Sequence, residues 1–386
     1  MRHWVPEEMN NLYNYKLVSL IFTLILCFAF IESASVFADS FGNAEQNFTI
    51  EFQDVGDPGN QNDSGRPPEI YTERGAVNYF FRIGTFEITR DSVQLVNSLG
   101  GTAITMDNMS QKGGNIGTHP ATGITWNEAA RFVNWLNTSK GFPPAYKFPS
   151  NPGEAAYVAD QNILLWNSND PGFDSSNPLR SKSAFYYLPT ENEWYKAAYY
   201  SGKNNVYYDY ATKQNEPTPP TPVSAGFEEG TAVYAQPSES GPASVYSAGG
   251  LSHYGTMGQD GNVWEWTEST FNNLNTPESS RLFRGEGWYS DISVLRLPAS
   301  FAEGPKYSSY ALGFRVASAS LAELPSIAIN QDIASGDSVI EFSGTIQSSD
   351  DLVVWTTISP QPQSPFRVLF SNGRKFWRAV ATGVAR

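Results

Sequence analysis

Residues 258–267 read GQDGNVWEWT, with a glycine-rich turn leading directly into two tryptophans separated by one glutamate. Gly258 and Gly261 permit a tight turn, and the residues from Asn262 to Thr267 then read as a strand. Side chains alternate along a strand. Trp264 and Trp266 therefore fall on one face, and Val263 and Glu265 on the other. Both indoles can enter a core while the carboxylate points the opposite way. Two partners suit it there. One is an arginine such as Arg284 or Arg315. The other is Ca²⁺, which takes hard oxygen ligands and would join Glu265 to the carbonyls of Gly261 and Val263.

The rest of the chain supports a large, loop-rich globular protein. Of 386 residues, 14% are aromatic, 17% are charged, and glycine and proline number 32 and 25. That profile is not one of disorder. Lys16 precedes an apolar run from Leu17 to Phe30, and small residues before Asp39 offer a cleavage point at Val36-Phe37-Ala38. The run is shorter than the ~20 residues of a membrane span and fits a signal peptide over residues 1–38, with a retained anchor as the alternative reading. The expected product is exported, periplasmic or extracellular, with no stable transmembrane span. Cleavage removes Cys27, the only cysteine, and with it any disulfide, thiolate ligand or thiol nucleophile. The chain keeps its acidic excess, 25 basic and 39 acidic residues overall. A nucleic-acid partner is not expected, because phosphate binding needs the opposite sign.

Two helix starts are written plainly. Thr125-Trp-Asn-Glu128 and Thr190-Glu-Asn-Glu193 are capping boxes, in which a threonine hydroxyl and a glutamate carboxylate satisfy free amides reciprocally. Trp126, Ala129, Ala130, Val133 and Leu136 follow the first at helical spacing, and Trp194, Ala197 and Ala198 the second. A shorter helix begins at Thr89 and carries Val93, Val96 and Leu99. Strands are expected at Phe48–Phe52 and Tyr79–Ile88. Residues 141–182 are dense in Pro, Asn, Ser and Asp and read as a long surface insertion, and residues 202–250 are another loop-rich region. From residue 326 to 386 the character changes to short β-rich runs, Ser338–Phe342, Leu352–Ile358, Phe366–Phe370 and Lys375–Val380, forming a small all-β module.

Six segments, in order, carry a resemblance: Arg82–Thr89, His119–Leu136, Tyr187–Trp194, Tyr254–Trp266, Arg281–Trp288 and Leu312–Arg315. Over roughly residues 48–318 the chain resembles the formylglycine-generating enzyme family, whose domain is also called the sulfatase-modifying factor domain. The resemblance implies an α+β, C-type-lectin-like fold with few helices, a twisted antiparallel sheet and long ordered loops, here followed by the β module. It also implies calcium sites. One matches Gly261, Val263 and Glu265, although Gly258 stands where an Asn or Asp usually opens the loop and Asp260 would have to substitute. At the other, Val233 stands in place of an asparagine.

The family's oxidases hold copper with two cysteines just after the motif matched by Arg284-Gly-Glu-Gly-Trp288. Here Ser290 and Leu295 occupy those positions. Neither offers the soft sulfur that Cu(I) prefers, so copper is not expected. The related iron sulfoxide synthases draw histidines from a helical domain that this chain lacks, and only His119 and His253 remain after residue 38. The expectation is therefore a non-catalytic binding or scaffold protein. Its groove lies at Trp288, Tyr289, Ser290 and Asp291, and it takes a protein or glycan ligand at the cell exterior. Trp355 and Trp377 of the β module are further candidates for attachment, or part of that module's core. The competing expectation is an enzyme, either a formylglycine-generating oxidase with a displaced site or another activity in the same groove. Ser290 beside Asp291 has no positioned base visible in the sequence.

Overall fold

The capping boxes fold as written. Thr125 Oγ1 accepts the Glu128 amide at 3.2 Å while Glu128 Oε2 accepts the Thr125 amide at 2.9 Å. Thr190 and Glu193 repeat the exchange at 3.2 and 2.7 Å. A third cap, Thr89 Oγ1 accepting the Ser92 amide, starts the first helix. Among the described residues the α-helices are α1 (Arg90–Gly100), α2 (Trp126–Ser139) and α3 (Glu191–Tyr199), with one short turn of helix, α4 (Ile292–Leu295). The whole predicted stripe of α2 is buried. On α1, Val93 and Val96 are buried and Leu99 is half-buried.

This computed structural model describes residues 37–64, 74–158, 161–295 and 300–321, and six strands between 327 and 380. Nearly all of the expected signal segment, residues 1–36, and Trp355 lie outside the described residues, as does the side chain of Trp377. No helix among the described residues is long and apolar enough to cross a membrane.

Two sheets organise the body. The first has five strands in the order β1 (Phe37–Gly42), β2 (Asn47–Val55), β3 (Phe81–Gly84), β9 (Ala317–Ala319) and β4 (Tyr186–Tyr187). It joins the two ends of the body, since Ala317 pairs with Ile83 and Tyr187 alike. Buried Arg82 closes it, with Nη2 2.6 Å from Asp39 Oδ2 and the guanidinium stacked on Phe52. The second has four strands in the order β7 (Phe301–Glu303), β6 (Arg281–Arg284), β5 (Trp264–Thr270) and β8 (Leu312–Phe314). It is antiparallel except between β5 and β8, which run parallel. Beyond residue 326, six strands form two further three-stranded antiparallel sheets, which cover the expected run Ser338–Phe342 in full and the other three in part, at Thr356–Thr357, Phe366–Val368 and Phe376–Val380.

The strand alternation predicted for Trp264–Trp266 is present. Both indoles meet Phe283 edge-on, at centroid separations of 5.4 and 5.3 Å. Glu265 lies opposite them and fully buried, between Arg284 and Gly313 in register. Its carboxylate meets Arg315, which follows β8. Arg315 Nε and Nη2 each reach a Glu265 oxygen at 2.5 Å, and Trp194 Nε1 donates to Glu265 Oε2 at 2.7 Å. The remaining Arg315 donors bond the carbonyls of Gly84, Thr85 and Met257. One pair thus ties β5, α3, the end of β3 and the loop before Gly258.

The segment 141–182, expected as a surface insertion, is in part interior. It buries Ala145, Tyr146, Ile163, Leu179 and Arg180. Tyr146 donates to Glu268 at 2.7 Å and accepts from the Leu188 amide. Its Pro, Asn and Ser content sets an irregular backbone rather than an exposed one. Residues 202–250 likewise bury Tyr210, Val233, Tyr234, Ala243 and Val245.

Removing one partner of a buried, fully bonded ion pair strands the other charge, at about 3–5 kcal/mol. Arg315→Met and Glu265→Gln should each lower the unfolding free energy by about that amount in a denaturant titration. A loss below about 1 kcal/mol for both would show that the pair is not structural.

Candidate functional site

Gly261 begins the site. Its φ is +93°, and a Cβ would lie 2.1 Å from the Val233 carbonyl oxygen, so only glycine fits. Its amide donates to the Gly285 carbonyl at 2.6 Å. Asn262 continues the clasp. Its carbonyl accepts the Trp288 amide at 2.8 Å, its Oδ1 accepts the Ala243 amide, and its Nδ2 donates to Glu87 Oε1 at 2.8 Å. The loop GNV and the loop Arg284–Trp288 are thereby fixed against each other.

The Glu265 carboxylate, expected to bind either an arginine or Ca²⁺, binds Arg315. With both oxygens engaged by Arg315 and Trp194, Glu265 as arranged does not fit a calcium ligand beside the Gly261 and Val263 carbonyls. Val233 sits fully buried in an apolar cluster with Val263 and Trp288. Among the described residues, no three His, Cys, Asp or Glu side chains converge so as to hold a metal ion.

The residues expected to line a groove, Trp288 to Asp291, lie on the chain that follows Gly285. The backbone of Trp288 and Ser290 accepts the Gln236 and Ala235 amides, both at 2.9 Å, which pins the segment to the loop after Tyr234. Trp288 is wholly buried, with Nε1 donating to the Ser238 carbonyl at 3.2 Å. Tyr289 stands out at 39% exposure. Its ring lies 5.3 Å from that of Trp288 and 5.9 Å from that of Tyr310. Tyr307 is also exposed, and Lys112 Nζ sits 4.1 Å above the Tyr310 ring. Burial and the neighbouring Tyr310 push the Tyr289 hydroxyl up to about 12, so it is a neutral donor. Asp291 is exposed and turns inward on its own chain, accepting the Ser293 amide at 2.9 Å.

The positions matched to the family's cysteines hold different chemistry. Ser290 is buried, and its Oγ donates to Glu286 Oε2 at 3.2 Å and accepts the Gly287 amide at 3.1 Å. Leu295 is buried among Tyr210, Ala232, Tyr234 and Ile292. A hydroxyl tied to a carboxyl, and a packed leucine, do not fit cuprous ion. Of His119 and His253, the latter lies against Tyr254 and within 3.4 Å of Ser201 Oγ.

Glu286 is the site residue that the sequence did not reveal. It adopts φ +65°, a left-handed conformation that costs a non-glycine residue roughly 1–3 kcal/mol. Its Oε1 is buried with no hydrogen-bond partner. Burial pushes its carboxyl up to about 8, the Ser290 hydroxyl opposing and Asp260 adding to the shift. At neutral pH it therefore holds a proton. The one available signal was a glutamate in a motif, RGEGW, where small residues surround it.

Because this carboxyl is protonated longer in the folded than in the unfolded chain, stability falls as pH rises from about 4.5 to about 8. Glu87, pushed up to about 8 by burial, acts in the same direction. The melting temperature should fall between about pH 5 and pH 8, and Glu286→Gln should flatten that fall by several degrees, at ~2–4 °C per kcal/mol. Identical pH profiles for the two proteins would refute a protonated Glu286.

A family model described as the sulfatase-modifying factor enzyme 1-like domain matches residues 59–320. Among solved structures, Treponema denticola variable protein 1 is similar at 21% identity and a TM-score of 0.52, covering 73% of this chain and 99% of that one. The structure titled "Crystal Structure of CarF" aligns at 21% identity and TM-score 0.48, over 70% and 98% of the two chains. PvdO from Pseudomonas aeruginosa aligns at 14% and 0.43, over 73% and 98%. No curated protein matches. At these identities the likeness to the Treponema protein speaks for the fold alone.

Proposed function

The chain belongs to the sulfatase-modifying factor enzyme 1-like domain family, and from that membership we propose that it is an exported binding protein that uses the groove at Trp288–Asp291 without copper chemistry. The reading is supported by the chemistry at Ser290 and Leu295, the positions that the resemblance sets against the family's copper-binding cysteines. Ser290 is bonded to Glu286 and Leu295 is packed in an apolar cluster, and no cysteine follows Cys27. Oxidation of a thiol by O₂ through cuprous ion needs soft ligands that these side chains do not supply.

What the groove offers is recognition chemistry. Tyr289, Tyr307 and Tyr310 give flat apolar faces with polar tips, a composition favoured at interfaces. Lys112 supplies a cation above Tyr310, while the Glu286 carboxyl is buried and bonded to Ser290. Rings of this kind suit a glycan or a protein segment met outside the cell. A second reading rests on the Ser290–Glu286 contact, which supplies a hydroxyl with a carboxyl in reach. With Glu286 protonated at neutral pH it is a poor base, and the contact favours binding over nucleophilic attack.

The test pairs turnover with binding. The purified protein, with and without added copper, is given a cysteine-containing sulfatase-motif peptide and oxygen uptake is followed. Glycan and extracellular-protein arrays are screened in parallel. Expected are no oxygen uptake above the copper blank, and a ligand whose affinity falls at least about tenfold in Tyr289→Ala. Copper-dependent formylglycine formation would overturn the proposal, and empty arrays would remove its positive half.

A further inference from the structure

A cavity of about 270 Å³ opens where the segment 174–184 meets the start of α3 and the end of β5. It shares no residue with the segment Trp288–Asp291. Its volume is slightly below the roughly 300–1,000 Å³ of pockets for drug-sized ligands, and suits something smaller.

The charges on its wall cancel. Arg180 and Lys182 line it together with Asp174 and Glu268. Arg180 is already committed. Its Nε faces Glu268 Oε2 at 3.6 Å, its Nη1 is enclosed, and its guanidinium carbon lies 3.7 Å from the centroid of the Tyr187 ring. Glu193 adds a second negative charge beside it. Glu268 is committed too, with Oε1 taking Asn177 Nδ2 at 2.6 Å and Oε2 the Tyr146 hydroxyl at 2.7 Å. The two charges that remain, Lys182 and Asp174, are of opposite sign. An ion entering here would be stripped of water with no surplus charge to meet it, so the wall favours a neutral ligand.

The hydrogen-bonding groups left open are of both kinds. The Thr190 hydroxyl accepts the Glu193 amide at 3.2 Å and the Ser269 hydroxyl accepts the Glu191 amide at 2.9 Å, and neither donates to a described residue. Asn275 accepts from Thr270 through Oδ1, which leaves its Nδ2 to donate. Asn273 is exposed, and its side-chain amide bonds no described residue. Asp174 Oδ1 accepts the Ser176 amide and hydroxyl at 2.9 and 2.7 Å, while its Oδ2 takes nothing among the described residues. A hydroxyl both donates and accepts. A ligand with several hydroxyls therefore answers both sides of this wall at once.

We propose that this cavity binds one neutral sugar ring, free or at the end of a glycan. Asp174 Oδ2 accepts one of its hydroxyls, and the Thr190, Ser269 and asparagine donors take the other oxygens. Tyr79, Leu179 and Ala184 add apolar side chains to the wall, and Phe271 and Leu274 stand exposed on the loop that carries Asn273. The C–H face of a pyranose has partners there. A rigid ring also loses less freedom on binding than a linear polyol.

The test is calorimetric titration of the full chain with D-glucose, D-galactose, D-mannose and N-acetyl-D-glucosamine, with their methyl glycosides, and with sodium D-glucuronate. At least one neutral sugar should saturate a single site below about 10 mM, and glucuronate should bind no tighter than it. A methyl glycoside that binds as well as its free sugar identifies a glycan end, and one that binds more weakly a free sugar. Asp174→Asn keeps the oxygen that caps Ser176 and replaces the open acceptor, and should weaken binding at least about tenfold. Asn273→Gly, which suits the φ of +54° at that position, and Asn275→Ala should each weaken it about threefold to tenfold. Should Asp174→Asn fail to fold, these two exposed positions carry the test. No saturable binding of any neutral sugar up to about 10 mM, glucuronate binding at least about tenfold tighter than all of them, or an affinity unchanged in the folded variants would each overturn the proposal.

Discussion

The fold turns on Arg315 meeting Glu265 in the interior. An unpaired charge at either position would be too costly to bury, so the strand carrying Glu265, the chain after β8 and the carbonyls of Gly84, Thr85 and Met257 must arrive together. Trp194, at the start of α3, adds a donor to the same carboxylate. A body with few regular elements and long loops has little ladder hydrogen bonding to define it. A saturated buried ion pair supplies definition instead, by leaving one arrangement in which every donor is answered.

That frame positions the segment Trp288–Asp291. Gly261 can pass against Val233 only because it has no side chain, and its amide fixes Gly285. The next residue, Glu286, is then held in a left-handed conformation with its carboxyl under Ser290. A conformation that glycine adopts freely is occupied by a buried acid, at a cost in backbone strain. Such a cost is tolerated where surrounding contacts over-determine the loop, and the backbone bonds from Ala235 and Gln236 do so here. The chemistry of this segment is accordingly that of hydroxyls, a neutral carboxyl and aromatic faces.

Much of this was legible in the residues, and the reasons divide by range. The capping boxes and the Trp264–Trp266 alternation are local rules of hydrogen bonding and pleat, and both fold as read. The choice between arginine and calcium at Glu265 was open because it depends on a residue fifty positions away. The segment 141–182 read as surface because Pro, Asn and Ser report backbone irregularity, not depth, and they did not disclose the burial of Tyr146 or Ile163. Glu286 and Arg180 were invisible for a related reason. A single Glu or Arg is ordinarily solvated, and only the packing of distant segments shows that these two are not.

The central claim is that the positions after Trp288 carry no ligands for cuprous ion. It is tested most directly by titrating the purified protein with Cu(I) against a chromophoric Cu(I) chelator, with Leu295→Cys/Ser290→Cys as the comparison. The account predicts that the natural chain withdraws no copper from the chelator and that the double variant gains the ability to do so. One equivalent of Cu(I) held tightly by the natural chain, and lost on altering Ser290 or its neighbours, would contradict it.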